Sequence, residues 1–167
     1  MEDEVAVRRA ELRDAGTLLA LQREFYTSSG YPWDGEQKER AIRQLLAAES
    51  LGRLLVFERG GAIAGSMSLT FGFSLEFGGR DAFVDELYVR PHARGAGIGT
   101  RALEAAEHVC RDAGALALHL EVEFENESAK RLYSRQGYRE HTRYLMTKVL
   151  GSPADVLQQQ TKPPHDP

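Results

Sequence analysis

Seven residues, Arg94-Gly95-Ala96-Gly97-Ile98-Gly99-Thr100, stand where a strand-like apolar run gives way to a helix-like one, and they constrain this chain more than any other stretch. Three glycines in five positions strip away side chains and let a ligand lie directly on backbone. A helix starting there turns unpaired N–H groups outward with partial positive charge, which suits phosphate. Arg94 adds a full charge and a forked donor. A loop needing flexibility alone would require neither the helix nor the arginine. Two familiar phosphate loops fit less well. A P-loop places Lys, then Ser or Thr, after its last glycine, and here Thr100 stands in the Lys position. Gly97-x-Gly99-x-x-Ala102, with Glu121 downstream, satisfies a loose dinucleotide fingerprint. However, Arg90-Pro91-His92-Ala93-Arg94 separate it from its strand, and too little chain follows for the usual sheet.

Strands and helices alternate around this turn. Strands are expected over 5–9, 54–58, 62–73, 82–89, 116–122 and 142–149, with Gly60-Gly61 and Gly78-Gly79-Arg80-Asp81 as turns. Helical spacing of Leu12, Ala15, Leu18, Leu19 and Leu21 runs to a stop at Gly30. Asp34 is placed to cap a second helix carried by Ala41, Ile42, Leu45 and Leu46. Further helices are expected over 99–113 and 126–136. Hairpins in front and strand–helix–strand behind predict an α/β fold with a mixed sheet. The 167 residues suit one domain, over 1–150, followed by a Pro- and Gln-rich tail over 151–167 expected to be flexible.

Composition removes whole classes of function. Lys and Arg total 21 against 25 Asp and Glu, a net charge of −4, which disfavours nucleic acid as a partner. No apolar run reaches the roughly 18 residues a membrane helix needs, and the acidic start Met1-Glu2-Asp3-Glu4 is unlike a secretion signal. A cytoplasmic protein is expected. One cysteine, Cys110, and five scattered histidines offer no metal-ligand spacing. Cys110 shares a helix face with Leu103 and Ala106 and reads as core. His119 alternates with Leu118 and Leu120, and a surface place is favoured for it over the cleft.

The stretch Val89-x-Pro91-x-x-Arg94-Gly95-x-Gly97-Ile98-Gly99 resembles the acyl-CoA signature (Arg/Gln)-x-x-Gly-x-(Gly/Ala) of the GNAT superfamily of N-acetyltransferases. Asn126, Ala129, Lys130 and Leu132-Tyr133, followed by Gly137-Tyr138, resemble that family's second cofactor segment. The order of elements matches over nearly the whole folded unit. The resemblance implies a mostly antiparallel twisted sheet flanked by helices, with two splayed parallel central strands holding acetyl-CoA between them. Backbone groups of Leu87, Tyr88 and Val89 would pair with the pantetheine arm. Arg94, Gly95, Ala96, Gly97, Ile98, Gly99 and Thr100 would hold the pyrophosphate. A backbone N–H near Leu87 would polarise the thioester carbonyl.

Amine acetylation requires two proton transfers. A free amine near pKa 10 must lose a proton before attack, and a departing thiolate near about 8.5 gains from an acid. Tyr133 lies two helical turns after Asn126, on one side with Lys130, and the matching family residue is commonly the acid. A core tyrosine bonded to backbone would look the same. Asp85 and Glu86 are the candidate bases. Alternation puts Asp85 on the face of Leu87 and Val89, and its position resembles that of the water-linked base in polyamine-type members. Asp85 is therefore favoured over Glu86, although a salt-bridged strand carboxylate is an equal competitor for either. Glu121 and Glu123 are weaker candidates.

Asp81, Asp85, Glu86, Glu121, Glu123 and Glu125 are expected to flank the cleft, so a small cationic amine or basic peptide is the expected acceptor. Phe25, Tyr26, Tyr31 and Trp33 lie where family members often shape the acceptor pocket. Family analogy also allows a homodimer, and it calls for no metal. A non-catalytic acyl-CoA sensor and a dinucleotide-binding oxidoreductase remain as alternatives.

Overall fold

The computed structural model describes residues 4–151. The tail expected over 151–167 lies outside the described residues, apart from Gly151.

Strand β1 (Val5–Arg9) leads through a short 3-10 turn into helix α1 (Ala15–Ser29), followed by α2 (Gly35–Ala47). The Asp34 carboxylate accepts from the Gln37 amide at 3.0 Å and so caps α2 as expected. Three antiparallel strands follow: β2 (Gly52–Arg59), β3 (Ala62–Ser74) and β4 (Gly79–Val89). Helix α3 (Ile98–Asp112), strand β5 (Ala117–Leu120) and helix α4 (Glu127–Arg135) complete the order. The sheet runs β1-β2-β3-β4-β5, with β4 and β5 parallel.

Strand β2 shows why the sheet has helices on both faces. Its run Leu54-Leu55-Val56-Phe57 is apolar without alternation and almost fully buried. Leu55 and Phe57 join Met67, Leu69, Ala82 and Val84 against Ile98, Ala102, Leu103, Ala106 and Cys110 of α3. Leu54 and Val56 point the other way, to Ala15 and Leu18 of α1 and Ile42 of α2. Each fully buried side chain of this size contributes about 1.5–3 kcal/mol. Among the described residues no helix is long and apolar enough to cross a membrane.

Two expectations need correction. Residues 142–149 form no strand: Tyr144, Leu145 and Met146 are exposed, and β5 therefore sits at the sheet edge rather than beside a further strand. The β-prone composition of that segment was the signal, but a strand also needs an edge to pair with. Here Arg143 is held instead by the Glu76 carboxylate in the β3–β4 turn, at 3.1 and 3.2 Å. Strand β5 is likewise shorter than the expected 116–122.

Candidate active site

Strands β4 and β5 pair only from Asp81↔Ala117 to Val84↔Leu120. Beyond that point the ladder stops and the strands part. Opposite β3, the register passes from Leu69↔Val84 to Ser68↔Glu86, so Asp85 is the extra residue of a β-bulge. The bulge shifts the alternation. Ala82 and Val84 before it, and Leu87 and Val89 after it, all pack toward α3. Tyr88 instead meets Phe25 of α1, with ring centroids 5.7 Å apart. Across one inserted residue strict alternation no longer applies, so the bulge interrupts the pattern behind the expected shared face of Asp85 with Leu87 and Val89.

The same register exposes backbone to the gap. The Arg90 amide donates to the Ala64 carbonyl at 2.9 Å, so Tyr88 and Glu86 occupy the hydrogen-bonded positions against β3. Leu87 and Val89 therefore turn their N–H and C=O groups to the other edge. The Val89 carbonyl is already taken, by Arg94 Nε at 2.9 Å. Leu87 keeps both its groups facing the opening.

At the end of β4 the chain makes a short turn and reaches the glycine corner. Gly95 (φ 79°) and Gly97 (φ 76°) adopt left-handed backbone, which a side chain would strain by about 1–2 kcal/mol. Gly97 caps α3, so the amides of Ile98, Gly99 and Thr100 lie in its first turn without an i−4 acceptor. Gly99 serves a different purpose. A Cβ there would come within 2.9 Å of Leu132 Cδ2, so its bareness lets α4 approach α3. Arg94 is exposed, and its terminal nitrogens make no hydrogen bond among the described residues. Beside it lies an open depression of about 380 Å³ lined by Arg59, Arg94, Gly95 and Ala96. A larger groove of about 550 Å³ runs along the outer edge of β5 and α3, and it includes none of Asp85, Glu86 or Tyr133.

Helix α4 begins at Asn126, whose side chain accepts from the Ala129 amide at 3.1 Å. Lys130 bonds Glu127 at 2.8 Å and the Phe124 carbonyl at 3.3 Å, an exposed local pair. Tyr133 is half-buried against the same core cluster as Leu87 and Val89, and its ring meets Tyr138 edge-on at 5.9 Å. Its hydroxyl bonds no described residue, and burial pushes its pKa above the ordinary value, so it stays protonated.

The carboxylates fall into two kinds. Glu86 accepts from the Tyr26 hydroxyl at 2.7 Å, and Lys38 reaches the same oxygen at 3.5 Å. Asp81 pairs with His119 at 3.5 Å, and Glu123 accepts from Tyr31 at 3.0 Å. Asp85 and Glu121 have no hydrogen bond or ion pair among the described residues. Asp85 keeps access to solvent at the cleft mouth, yet crowding by protein and then the Glu86 charge push its carboxyl up, with Lys38 opposing. Glu121 is raised by desolvation, then by Asp85 and Glu123. Cys110 is buried in the core, its thiol pushed up to about 11, and so is no nucleophile at neutral pH. Among the described residues no three His, Cys, Asp or Glu cluster to hold a metal ion.

Lys38 had no mark in the sequence, because its partners lie 12 and 48 residues away. The aromatic group beside it was visible. Tyr26 stands 5.6 Å from Phe25 and Tyr31 and 5.9 Å from Trp33, forming one wall over the cleft.

Known proteins share this fold. The Acetyltransferase (GNAT) family profile matches residues 17–138. An aminoalkylphosphonate N-acetyltransferase of Salmonella typhimurium (strain LT2) is 35% identical, over 86% of this chain and 90% of its own. An uncharacterized N-acetyltransferase of Bacillus subtilis (strain 168), YhfO, is 33% identical over 83% and 93% of the two chains. The crystal structure of an integron cassette protein from the mobile metagenome of Cole Harbour Salt Marsh superposes with a TM-score of 0.80 at 37% identity, covering 88% of this chain and 91% of that one. A glycine-capped helix facing two parallel strands that part, matched by a family profile over most of the chain, leads to one conclusion: this chain belongs to the GNAT family and is an acetyltransferase.

Proposed function

We propose that this chain, with residues 1–150 as its catalytic domain, transfers the acetyl group of acetyl-CoA to a primary amine by direct attack within a ternary complex. The reading is carried by the opening beyond Val84 and Leu120, which ends at the glycine corner. First-turn amides of α3, left-handed Gly95 and Gly97 and the free terminal nitrogens of Arg94 suit a diphosphate. The outward Leu87 N–H and C=O suit an extended amide chain, and that N–H is positioned to hold developing negative charge on a carbonyl oxygen. Acetyl-CoA supplies the activated acyl group.

The chain's own groups handle the protons. Asp85, unpartnered and with a raised pKa, takes a proton from the acceptor ammonium, directly or through water. Tyr133, held neutral by burial, returns one to the leaving sulfur. Glu86 is a lesser candidate for the base, because its carboxylate is already committed to Tyr26 and Lys38. Asn126 and Ala129 act through the capped start of α4, and Lys130 contributes charge at its flank.

The acceptor is a small cationic amine or a basic peptide, drawn by Asp85 and Glu121 and packed against the aromatic wall. The relative that acts on aminoalkylphosphonates supports an amine acceptor and supplies a contrasting type, in which the amine carries an anionic group. The deciding experiment measures thiol release from acetyl-CoA against an amine panel of polyamines, amino sugars, lysine-like amines, basic peptides and aminoalkylphosphonates. Amine-dependent release, strongest with the cationic members, is expected. Preference for the phosphonate overturns the acceptor class. Saturable acetyl-CoA binding without release to any amine makes the chain a sensor.

A further inference from the structure

Of the two neighbouring acids on β4, one is tied down from outside the sheet. Tyr26, near the end of α1, donates its hydroxyl proton to Glu86. Lys38 of α2 approaches the same carboxylate oxygen, also donates to the Tyr26 hydroxyl oxygen, and lies 3.9 Å from the centre of the Tyr26 ring. The Lys38 and Glu86 side chains are 24% and 16% exposed, so their charges are only weakly screened by water. Asp85, the extra residue of the β-bulge, has no hydrogen bond or ion pair among the described residues, although the charges of Glu86 and Lys38 reach it.

We propose that Lys38 is a positioning residue for acetyl transfer: anchored by Tyr26, it pairs with Glu86 and leaves Asp85 as the unpaired acid of these two neighbours, available to take up a proton. The inference rests on the reading of Asp85 as the base. The titratable groups that interact with Asp85 come from two helices and both sides of the opening. They are Tyr26 on α1, Lys38 on α2, Glu86 on β4 and Glu121 beyond β5, with Tyr31 next to Tyr26 and Glu123 next to Glu121. Lys38 is the cation among these described groups. Removing it leaves the Glu86 charge uncompensated and withdraws a favourable charge from ionised Asp85. Both changes make Asp85 hold its proton to higher pH.

The test is the pH dependence of kcat/KM for Lys38→Met and Lys38→Arg, with the amine acceptor held saturating. In Lys38→Met the acid limb is expected to move up by about one pH unit, so that activity on that limb falls about tenfold and recovers toward the alkaline plateau. Lys38→Arg keeps the charge and is expected to keep the limb in place. A uniform loss of rate with an unmoved limb overturns the proposal, because a merely structural lysine would behave that way. A carboxyl NMR titration of Asp85 in the free protein, assigned with Asp85→Asn, gives a readout that needs no turnover. An Asp85 midpoint that does not rise in Lys38→Met overturns the charge coupling, whatever the enzyme acetylates. A midpoint that rises in a protein that acetylates no amine keeps the coupling and overturns the acetyl-transfer reading instead. Tyr26→Phe loosens Lys38 without removing it. It is expected to move the midpoint the same way by less, and it decides the matter where Lys38→Met does not fold.

Discussion

Asp14 and Asp85 are the same side chain in opposite circumstances. Asp14 is 5% exposed and accepts from Arg8 at 2.7 and 3.0 Å and from the Glu11 amide at 2.7 Å. Arg8 also bonds Glu58 at 2.8 Å, so the network joins β1, β2 and the start of α1. The Arg8 bond holds the Asp14 carboxyl below the usual carboxylate range despite its burial. Asp85 has surroundings without partners, and its carboxyl goes up. Burial alone therefore does not decide the direction; the presence of an arginine fork does.

The two aspartates should bend the pH–stability curve in opposite senses. A depressed folded pKa means that Asp14 adds stability above its unfolded value, about pH 4, and that this is lost as pH falls through the folded value. A raised folded pKa gives Asp85 the reverse sign. The folded state holds that proton more tightly, so ionising Asp85 costs stability as pH climbs through the raised value. One carboxylate supports the fold, and the other is kept at the fold's expense.

The largest effect that would break this contrast is on rate. Asp85→Asn is expected to lower kcat/KM about 10³-fold while raising the melting temperature at pH 8, because the ionisation cost disappears. Parallel kinetics and calorimetry check it, and a melting temperature that falls would equate Asp85 with Asp14. Tyr133→Phe is expected to lower kcat about 10²-fold with little change in the acetyl-CoA KM, as single-turnover and steady-state assays would show. Asp14→Asn should cost about 2 kcal/mol in urea unfolding at pH 7, a deficit that shrinks near pH 3, and leave kcat/KM within about twofold. Gly97→Ala, which must hold a methyl at positive φ, should weaken acetyl-CoA binding by about 1 kcal/mol, read by calorimetric titration.

Most of the fold was legible because its signals are local. The stop at Gly30, the Asp34 and Asn126 caps, and the Gly60-Gly61 hairpin each depend on a few adjacent residues. The glycine corner was legible for the same reason, though one of its glycines answers to Leu132 rather than to a ligand. Residues 142–149 were misread because β-propensity says nothing about whether a sheet edge is within reach. The site was half legible. Tyr133 and the glycine corner could be named as candidates from the sequence, whereas the bulge at Asp85 and the approach of Lys38 carried no mark.

Sequence alone determined the helix beginning at the glycines, the two-sided apolar strand β2 and the presence of a carboxylate pair on β4, since these follow from backbone preferences over one or two turns of chain. Tertiary structure decided which acid of that pair is free. The bulge at Asp85 depends on register against Ser68 and Leu69, and the tie on Glu86 depends on two helices folding over the sheet. Charges act through space at distances of a few ångströms, and chain order does not report those distances.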